Sequence, residues 1–317
     1  MKKYFVIFSI TIFVILTSCT SKTKIEHGDF YEKIDGIFLN YTVKGRGPVM
    51  LVGHPNSGKI GYEMTLKPLE DKFTMVYYDS RGTGKSEAPK KLEDYNSDQF
   101  TKEIDLLRKK IGVVKIWIFG HSDQSAVALQ YAVEYPEYVS GLILTGTSFI
   151  GDMDETIRRK RDSENKRKSE SEWFSQVVED WEYMYVNKTY IDKSGRNLSN
   201  APIKWWTYDE ESSQKVIPIT RLISEAGRRK PINGKYYFET PDQRQKYLDV
   251  QTKFKNLNIE TLIINGRFDT NNPPKYADEL HKNLPNSKLV LIDKSGHFPW
   301  IEQPEKTFEE INKWLKD

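Results

Sequence analysis

Apolar positions along the chain keep two rhythms. Short runs rich in β-branched and aromatic residues predict strands at Ile37–Val43, Val49–Gly53, Phe73–Asp79, Lys115–Gly120, Ser140–Gly146, Thr261–Gly266 and Lys288–Asp293. Between them, helical spacing predicts helices at Ser97–Ile111, Gln124–Tyr135, Pro274–Asn283 and Pro304–Lys316. Strands alternating with helices imply an α/β protein with a mostly parallel central sheet and helices on both faces. The runs VMLV and LVLI are continuous rather than alternating, as strands covered on both sides require.

The alternation stops between residues 148 and 256. That interval opens with the charged stretch Asp154–Glu172, DETIRRKRDSENKRKSESE, which fits a solvated helix face. Aromatics follow: Trp173, Phe174, Trp181, Tyr183, Tyr185, Tyr190, Trp205, Trp206 and Tyr208. The expected organisation is a core of residues 29–147 and 257–317, with residues 148–256 inserted as a mainly helical cap. No internal repeat or low-complexity segment interrupts it.

The first residues follow a different logic. Lys2 and Lys3 precede the apolar run Tyr4–Leu16, which leads into Thr17, Ser18 and Cys19. A basic start, a short apolar segment and small residues describe an export signal. The run is too short to span a bilayer, which takes roughly 17–25 residues. LTSC resembles the lipobox of bacterial lipoproteins, and Cys19 is the only cysteine of the chain. The resemblance implies a signal peptide of residues 1–18, a lipidated Cys19 and a polar tether of residues 19–28. The protein would then be exported and membrane-anchored at the periplasmic or outer face. Removing residues 1–18 lowers the basic residues from 48 to 46 against 45 acids, so the net charge falls from +3 to +1. That balance offers nucleic acid nothing.

Two glycine loops invite a nucleotide reading. GHPNSGKI, residues 53–60, and DSRGTGKS, residues 79–86, each look like part of a phosphate-binding loop. The first has Ile60 where a hydroxyl belongs, and Pro55 has no N–H to donate. The second has Asp79 where the first glycine belongs. Neither loop is complete, and no nucleotide is expected.

The strongest chemical signal is KIWIFGHSDQSAVALQYA, residues 115–132. A β-rich run ends at Gly120, His121-Ser122-Asp123 follow, and a helical stretch begins. Ser122 falls on the sharp strand-to-helix turn that exposes a hydroxyl and aims the first helical N–H groups at a developing oxygen. A serine hydroxyl needs a base, and the base an orienting acid. Of the five histidines, His27 lies in the tether, and His54 and His121 flank backbone-rich loops. His281 sits in the helical stretch YADELHKNL. His297, in KSGHFPW between a strand and the last helix, is the expected base. Asp269 follows the Thr261–Gly266 run in TLIINGRFD and is the expected acid, in the order Ser, Asp, His. Asp152 is the alternative acid.

These residues resemble the α/β-hydrolase superfamily over Phe30–Asp317, interrupted by a cap. GHS at the turn, GRFD before the acid and GHFPWIEQPE around the base match its habits. DSRGTGKS resembles its D-x-R-G-x-G-x-S loop, and GHPNSG its His-Gly oxyanion loop, so the glycines serve tight turns and close backbone approach. The pairing of these loops most resembles the proline iminopeptidase group. The resemblance implies an oxyanion hole from the backbone N–H of Asp123 and of Asn56, since Pro55 stands where a glycine is usual. Gln124 and Ser125 also replace small residues at the turn. The cap glutamates do not align with those that bind a substrate amine in iminopeptidases, and Glu182 is the nearest candidate. Substrate contact is expected from His54, Gln124, Trp181 and Trp205.

The expected function is hydrolysis of an ester or amide in a small molecule or short peptide through Ser122, His297 and Asp269. No metal or organic cofactor is implied. Alternatives are a carboxylesterase and a non-catalytic ligand-binding protein on the same fold. Asp nucleophiles, as in haloalkane dehalogenases, occupy the position of Ser122, so Asp123 is one residue late.

Overall fold

The computed structural model describes residues 25–147, 153–236 and 240–316. Cys19, the run Tyr4–Leu16 and Asp152 lie outside them. The strands are β1 Gly28–Ile34, β2 Ile37–Gly45, β3 Val49–Val52, β4 Thr74–Tyr78, β5 Ile116–His121, β6 Val139–Thr145, β7 Thr261–Gly266 and β8 Ser287–Ile292. The helices before the cap are α1 Ile60–Thr65, α2 Ser97–Ile111 and α3 Asp123–Glu134. Then come α4 Met153–Glu170, α5 Glu172–Asn187, α6 Ala201–Trp206, α7 Glu210–Ala226 and α8 Pro241–Gln251. After β7 the chain forms α9 Pro274–Asn283, and after β8 it forms α10 Pro299–Glu302 and α11 Pro304–Trp314.

The eight strands form one sheet in the order β1-β2-β4-β3-β5-β6-β7-β8. β1 pairs antiparallel with β2, and β2 with β4. All later neighbours are parallel. Side chains alternate between faces along each strand. Leu51, Val76, Ile118, Leu142, Leu144 and Ile263 enter one apolar cluster with Phe100, Ile104 and Leu107 of α2 and Val127, Ala128 and Tyr131 of α3. Met50, Val52, Met75, Tyr77, Phe119, Ile143 and Ile264 enter the other, with Tyr62 of α1 and Phe308, Ile311 and Trp314 of α11. Burying one such side chain fully contributes about 1.5–3 kcal/mol.

Local signals set the helix ends. Asn96 caps α2 by accepting the Gln99 N–H at 2.9 Å, and Gly112 closes it in the left-handed region. β1 was not expected, and it begins at Gly28, the last residue assigned to the tether. The cap helices α5 and α6 share a small cluster of Phe174, Val177, Val178 and Trp205. α8, expected within the cap, instead contributes Val250 to the core cluster that contains α3. Among the described residues no helix is long and apolar enough to cross a membrane.

The two glycine loops meet at one carboxylate. Asp79 is buried at the end of β4. It accepts the N–H of Lys59 at 2.7 Å and of Lys85 at 3.0 Å. A Cβ on Gly84 would come within 2.4 Å of Asp79 Oδ1, and one on Gly58 within 2.8 Å. The lysine that a nucleotide site would aim at phosphate points elsewhere: Lys59 Nζ pairs with Glu63 at 2.8 Å and Thr42 Oγ1 at 2.6 Å.

Beside it, Arg81 is buried and donates to Glu103 at 3.0 Å, Asp35 at 3.1 Å and the Asp94 carbonyl at 3.3 Å. Burial pushes the Glu103 carboxyl up to about 7 despite this guanidinium. Removing one partner of such a pair leaves an uncompensated buried charge. Arg81→Met is expected to lower the unfolding free energy by about 3 kcal/mol or more in urea titrations. A loss below about 1 kcal/mol, the size of a surface pair, would contradict the structural role given to this residue.

Candidate active site

β5, β7 and β8 run parallel, so the loops leaving them emerge at the same edge of the sheet. That edge is where open α/β sheets bind ligands. Ser122 leaves β5 with φ +52° and ψ −125°, a strained conformation for a residue with a Cβ. Its N–H bonds to the Thr145 carbonyl at 3.0 Å, and its own carbonyl accepts the Ser125 N–H at 2.9 Å. The turn needs close approach: a Cβ on Gly120 would lie 2.9 Å from Ser125 Cα.

The expected base and acid come together. His297 Nδ1 lies 2.8 Å from Asp269 Oδ2, with both side chains buried. The carboxylate oxygen accepts, so Nδ1 carries the proton and Nε2 presents its lone pair. Asp269 is held in turn by the Asn272 N–H, at 2.8 Å from Oδ1. Gly146, next to the residue that receives the Ser122 N–H, has φ +52°. A Cβ there would stand 2.9 Å from His297 Nδ1. Ser122 and the imidazole thus converge on the Thr145–Gly146 corner. No hydrogen bond joins the Ser122 hydroxyl to His297 in this structure. The Nε2 atom instead lies 3.5 Å from Asn271 Nδ2, the limit of a hydrogen bond.

His121 points away from the cleft, as its place beside Ser122 predicts. Its Nε2 donates to the His297 carbonyl at 3.1 Å, and its Nδ1 accepts from Tyr62 Oη at 2.9 Å. Burial holds its pKa well below the ordinary histidine value. The neutral ring therefore braces the backbone that carries the base.

The oxyanion side differs from expectation in one respect. The Asp123 N–H, first of α3, has no protein acceptor among the described residues. The Asn56 N–H does: it donates to His54 Nδ1 at 3.1 Å. Pro55 bends the loop so that the imidazole covers the donor two residues on. The Asn56 side chain also donates to Asp123 Oδ2, which latches the loop to the elbow.

Of the remaining expected contacts, Gln124 and Trp205 are buried against other protein groups. Gln124 is 1% exposed and donates to Tyr78 Oη at 3.2 Å. It faces the protein interior beneath the turn rather than a substrate, because the second residue of α3 turns toward the sheet. Trp205 is buried in the cap's own core, its ring 4.6 Å from that of Trp181 and its Nε1 bonded to Glu164 at 2.7 Å. Trp181, Trp205 and Glu182 line a cap cavity of about 520 Å³ with Tyr185 and Val186. His54 stands 6.0 Å from His121, ring to ring, on the oxyanion side.

Several working residues escaped the sequence reading. Glu302 is fully buried and accepts the N–H groups of Gly296 and Tyr208 at 2.9 Å and of Phe298 at 3.0 Å. Burial pushes its carboxyl up to about 7 against those three donors. The Trp206 carbonyl accepts the His297 N–H at 2.7 Å. Arg167 of α4 reaches Thr270 Oγ1 at 2.7 Å and the carbonyls of Thr207 and Tyr208 at 2.9 Å. The segment Trp206–Tyr208 therefore ties the cap to the loops of both the acid and the base. An acid inside the apolar string FPWIEQP was the visible clue to Glu302. Arg167 was hidden among a run of charges.

Comparison with known proteins agrees with this architecture. A family model described as alpha/beta hydrolase fold matches residues 49–304. A proline iminopeptidase of Saccharolobus solfataricus is 28% identical over 297 residues, which cover 90% of this chain and 91% of that one. A proline iminopeptidase of Clostridium botulinum is 27% identical, covering 84% of this chain and 88% of that one. Among solved structures, a proline iminopeptidase-related protein from Thermus thermophilus superposes with a TM-score of 0.66 at 18% identity, covering 92% of this chain and 98% of that one. A thermophilic esterase from Thermogutta terrifontis superposes with a TM-score of 0.62 at 21% identity and the same coverage.

Burial lowers the pKa of His54 to about 4, and its Nδ1 is already an acceptor. The unfolded chain binds a proton near pH 6.5 that the folded imidazole takes up only near pH 4. Stability from this group is therefore complete above pH 6.5 and is lost as pH falls toward 4. Glu103 and Glu302 act in the opposite direction between about 4.5 and 7. Comparing two proteins that share them isolates His54. His54→Asn, which keeps an acceptor for Asn56, is expected to lose about 2 kcal/mol less than the wild type between pH 7 and pH 4.5. Urea titrations at both pH values measure this, and equal losses would refute it.

Proposed function

The chain belongs to the α/β-hydrolase fold family and is a hydrolytic enzyme, and from that premise we propose that it cleaves ester or amide bonds through an acyl-enzyme on Ser122. The observation that carries the reading is the His297–Asp269 pair, whose protonated Nδ1 leaves Nε2 as the base beside the strained Ser122 turn. In the proposed reaction His297 takes the Ser122 proton while Oγ attacks the carbonyl. The Asp123 N–H meets the developing oxyanion. His297 then protonates the leaving group, and water, with His297 again as base, releases the acid. Asn56 serves as second donor once its N–H leaves His54. One such donor is typically worth about 10²–10³ in rate.

Within this reaction we place an aminopeptidase of the proline iminopeptidase type first. Its support is similarity to curated proline iminopeptidases over most of the chain. A carboxylesterase is the second reading, favoured by the state of the cap acids. Glu164 is bound to Trp205 and, with Glu182, lines the cap cavity. Neither carboxylate is bonded to Ser122, Asp269 or His297 among the described residues. A fluorophosphonate probe is expected to label the wild type and not Ser122→Ala. Wild-type turnover of proline β-naphthylamide supports the peptidase, and turnover of p-nitrophenyl esters alone supports the esterase. An unlabelled wild type would instead indicate a binding protein.

We also propose that Cys19 carries a lipid that holds the exported protein at a membrane. The support is the sequence LTSC after a basic and apolar start. Metabolic labelling with an alkyne fatty acid is expected to mark the wild type and not Cys19→Ala; equal labelling of both would refute the anchor.

A further inference from the structure

Lys160 of α4 is half-buried over the catalytic loops. Among the described residues its ammonium has one hydrogen-bond partner, Asn271 Oδ1 at 3.2 Å, and no carboxylate within ion-pair distance. Its neighbours along the helix are satisfied: Arg159 pairs with Glu279 at 2.5 Å, and Arg167 is surrounded by Thr270 and three carbonyls. The anionic groups that act on Lys160 are Asp269 and Asp123. Both are engaged, Asp269 with His297 and Asp123 with Asn56. Burial accordingly lowers the Lys160 pKa. The same Asn271 amide presents its Nδ2 to His297 Nε2. An ammonium with spare donors therefore stands two hydrogen bonds from the catalytic nitrogen.

Resting on the Ser122 hydrolase reading, we propose that Lys160 binds a carboxylate of the substrate, so that the enzyme prefers esters or amides bearing an anionic group a few bonds from the scissile carbonyl. The carboxylate takes the ammonium from Asn271. Released from Lys160, the amide swings away and His297 Nε2 is free to face the Ser122 hydroxyl. Recognition of the anion and release of the base are then one event. Arg228 and Arg229, just past α7, are further cations whose fields reach the site, both through His54 and Arg228 also through Tyr62. They lie on the oxyanion side and carry no part of this role.

The test compares mono-p-nitrophenyl glutarate with p-nitrophenyl butyrate on the full mature chain. Wild-type kcat/KM is expected to favour the glutarate by about tenfold or more, the scale of one charge-assisted hydrogen bond. In Lys160→Met the ratio falls to about one, mainly through KM for the anionic ester, while Lys160→Arg and Arg228→Gln keep the preference. Equal wild-type rates, or a preference that survives Lys160→Met in a protein of unchanged melting temperature, would overturn the proposal. Calorimetric titration of Ser122→Ala with glutarate separates this from failure of the hydrolase reading. Binding that a Lys160→Met change abolishes supports the anion site even without turnover. Absence of binding refutes it.

Discussion

The site rests on a carboxylate that does no chemistry. Asp79, buried at the end of β4, accepts one backbone N–H from each glycine loop. It is an internal anion in the place a phosphate occupies in a nucleotide site, and the glycines are small because backbone must close on it. Burial raises its pKa while the two donors oppose that shift. The loop that ends at Lys59 carries Asn56, and Asn56 is latched to Asp123 at the start of α3. The oxyanion side of the site is thus positioned from the sheet outward through Asp79. The resemblance of both loops to phosphate cradles follows from shared physics, since backbone N–H groups converge on an anion in each.

The base is positioned from the other side. His297 hangs on two backbone bonds to residues remote in sequence, its N–H to Trp206 and its carbonyl to His121, and on the nearby Glu302 carboxylate that gathers the N–H groups on either side of it. The Trp206 and Glu302 ties reach the cap, because Glu302 also takes the Tyr208 N–H and Trp206 begins the same segment. Arg167 adds a guanidinium across that segment to Thr270, next to the acid. Cap and catalytic loops are therefore tied together at both partners of the His297–Asp269 pair.

What the sequence revealed and what it concealed divide along this line. The parallel sheet, the strand-to-helix turn at Ser122 and the order of acid and base are local or nearly local patterns. A continuous apolar run implies a strand covered on both faces, and the fold follows that expectation in β3 and in β5 to β7; the LVLI run instead forms the edge strand β8, where Leu289, Val290 and Leu291 are only half-buried. β1 was missed because Gly28–Ile34, GDFYEKI, leaves four of its seven positions largely solvated and resembles a polar tether. The direction of the Asn56 N–H depends on where Pro55 throws the His54 ring, which no residue type encodes. Gln124 was assigned to substrate by its place beside the Ser122 turn, and Trp205 as one of the cap's aromatics. Their side chains follow helix geometry into the protein interior. Lys160 and Arg167 sit in one run of charges with helical spacing, where solvated and buried members look alike until the fold shows which face meets the core.

The remaining question is what His297 Nε2 meets when no hydrogen bond joins it to the Ser122 hydroxyl. Nε2 faces Asn271 at the limit of a hydrogen bond, while Nδ1 is firmly held by Asp269. A weak contact costs little to break, so Asn271 offers little resistance to an Nε2 that turns to Ser122. The opposing demand is electrostatic. Attack by Ser122 places a cation on His297, and the fully buried Asp269 is the one carboxylate bonded to it among the described residues. Asp269 meets that demand from the start, since it already holds Nδ1. What the resting site lacks is geometric: the amide that faces Nε2 is itself held by the Lys160 ammonium through its Oδ1. The Asn271 contact and Lys160 thus describe a resting site in which the base is already oriented by its acid while its free nitrogen is turned to an amide that must give way before it can serve Ser122.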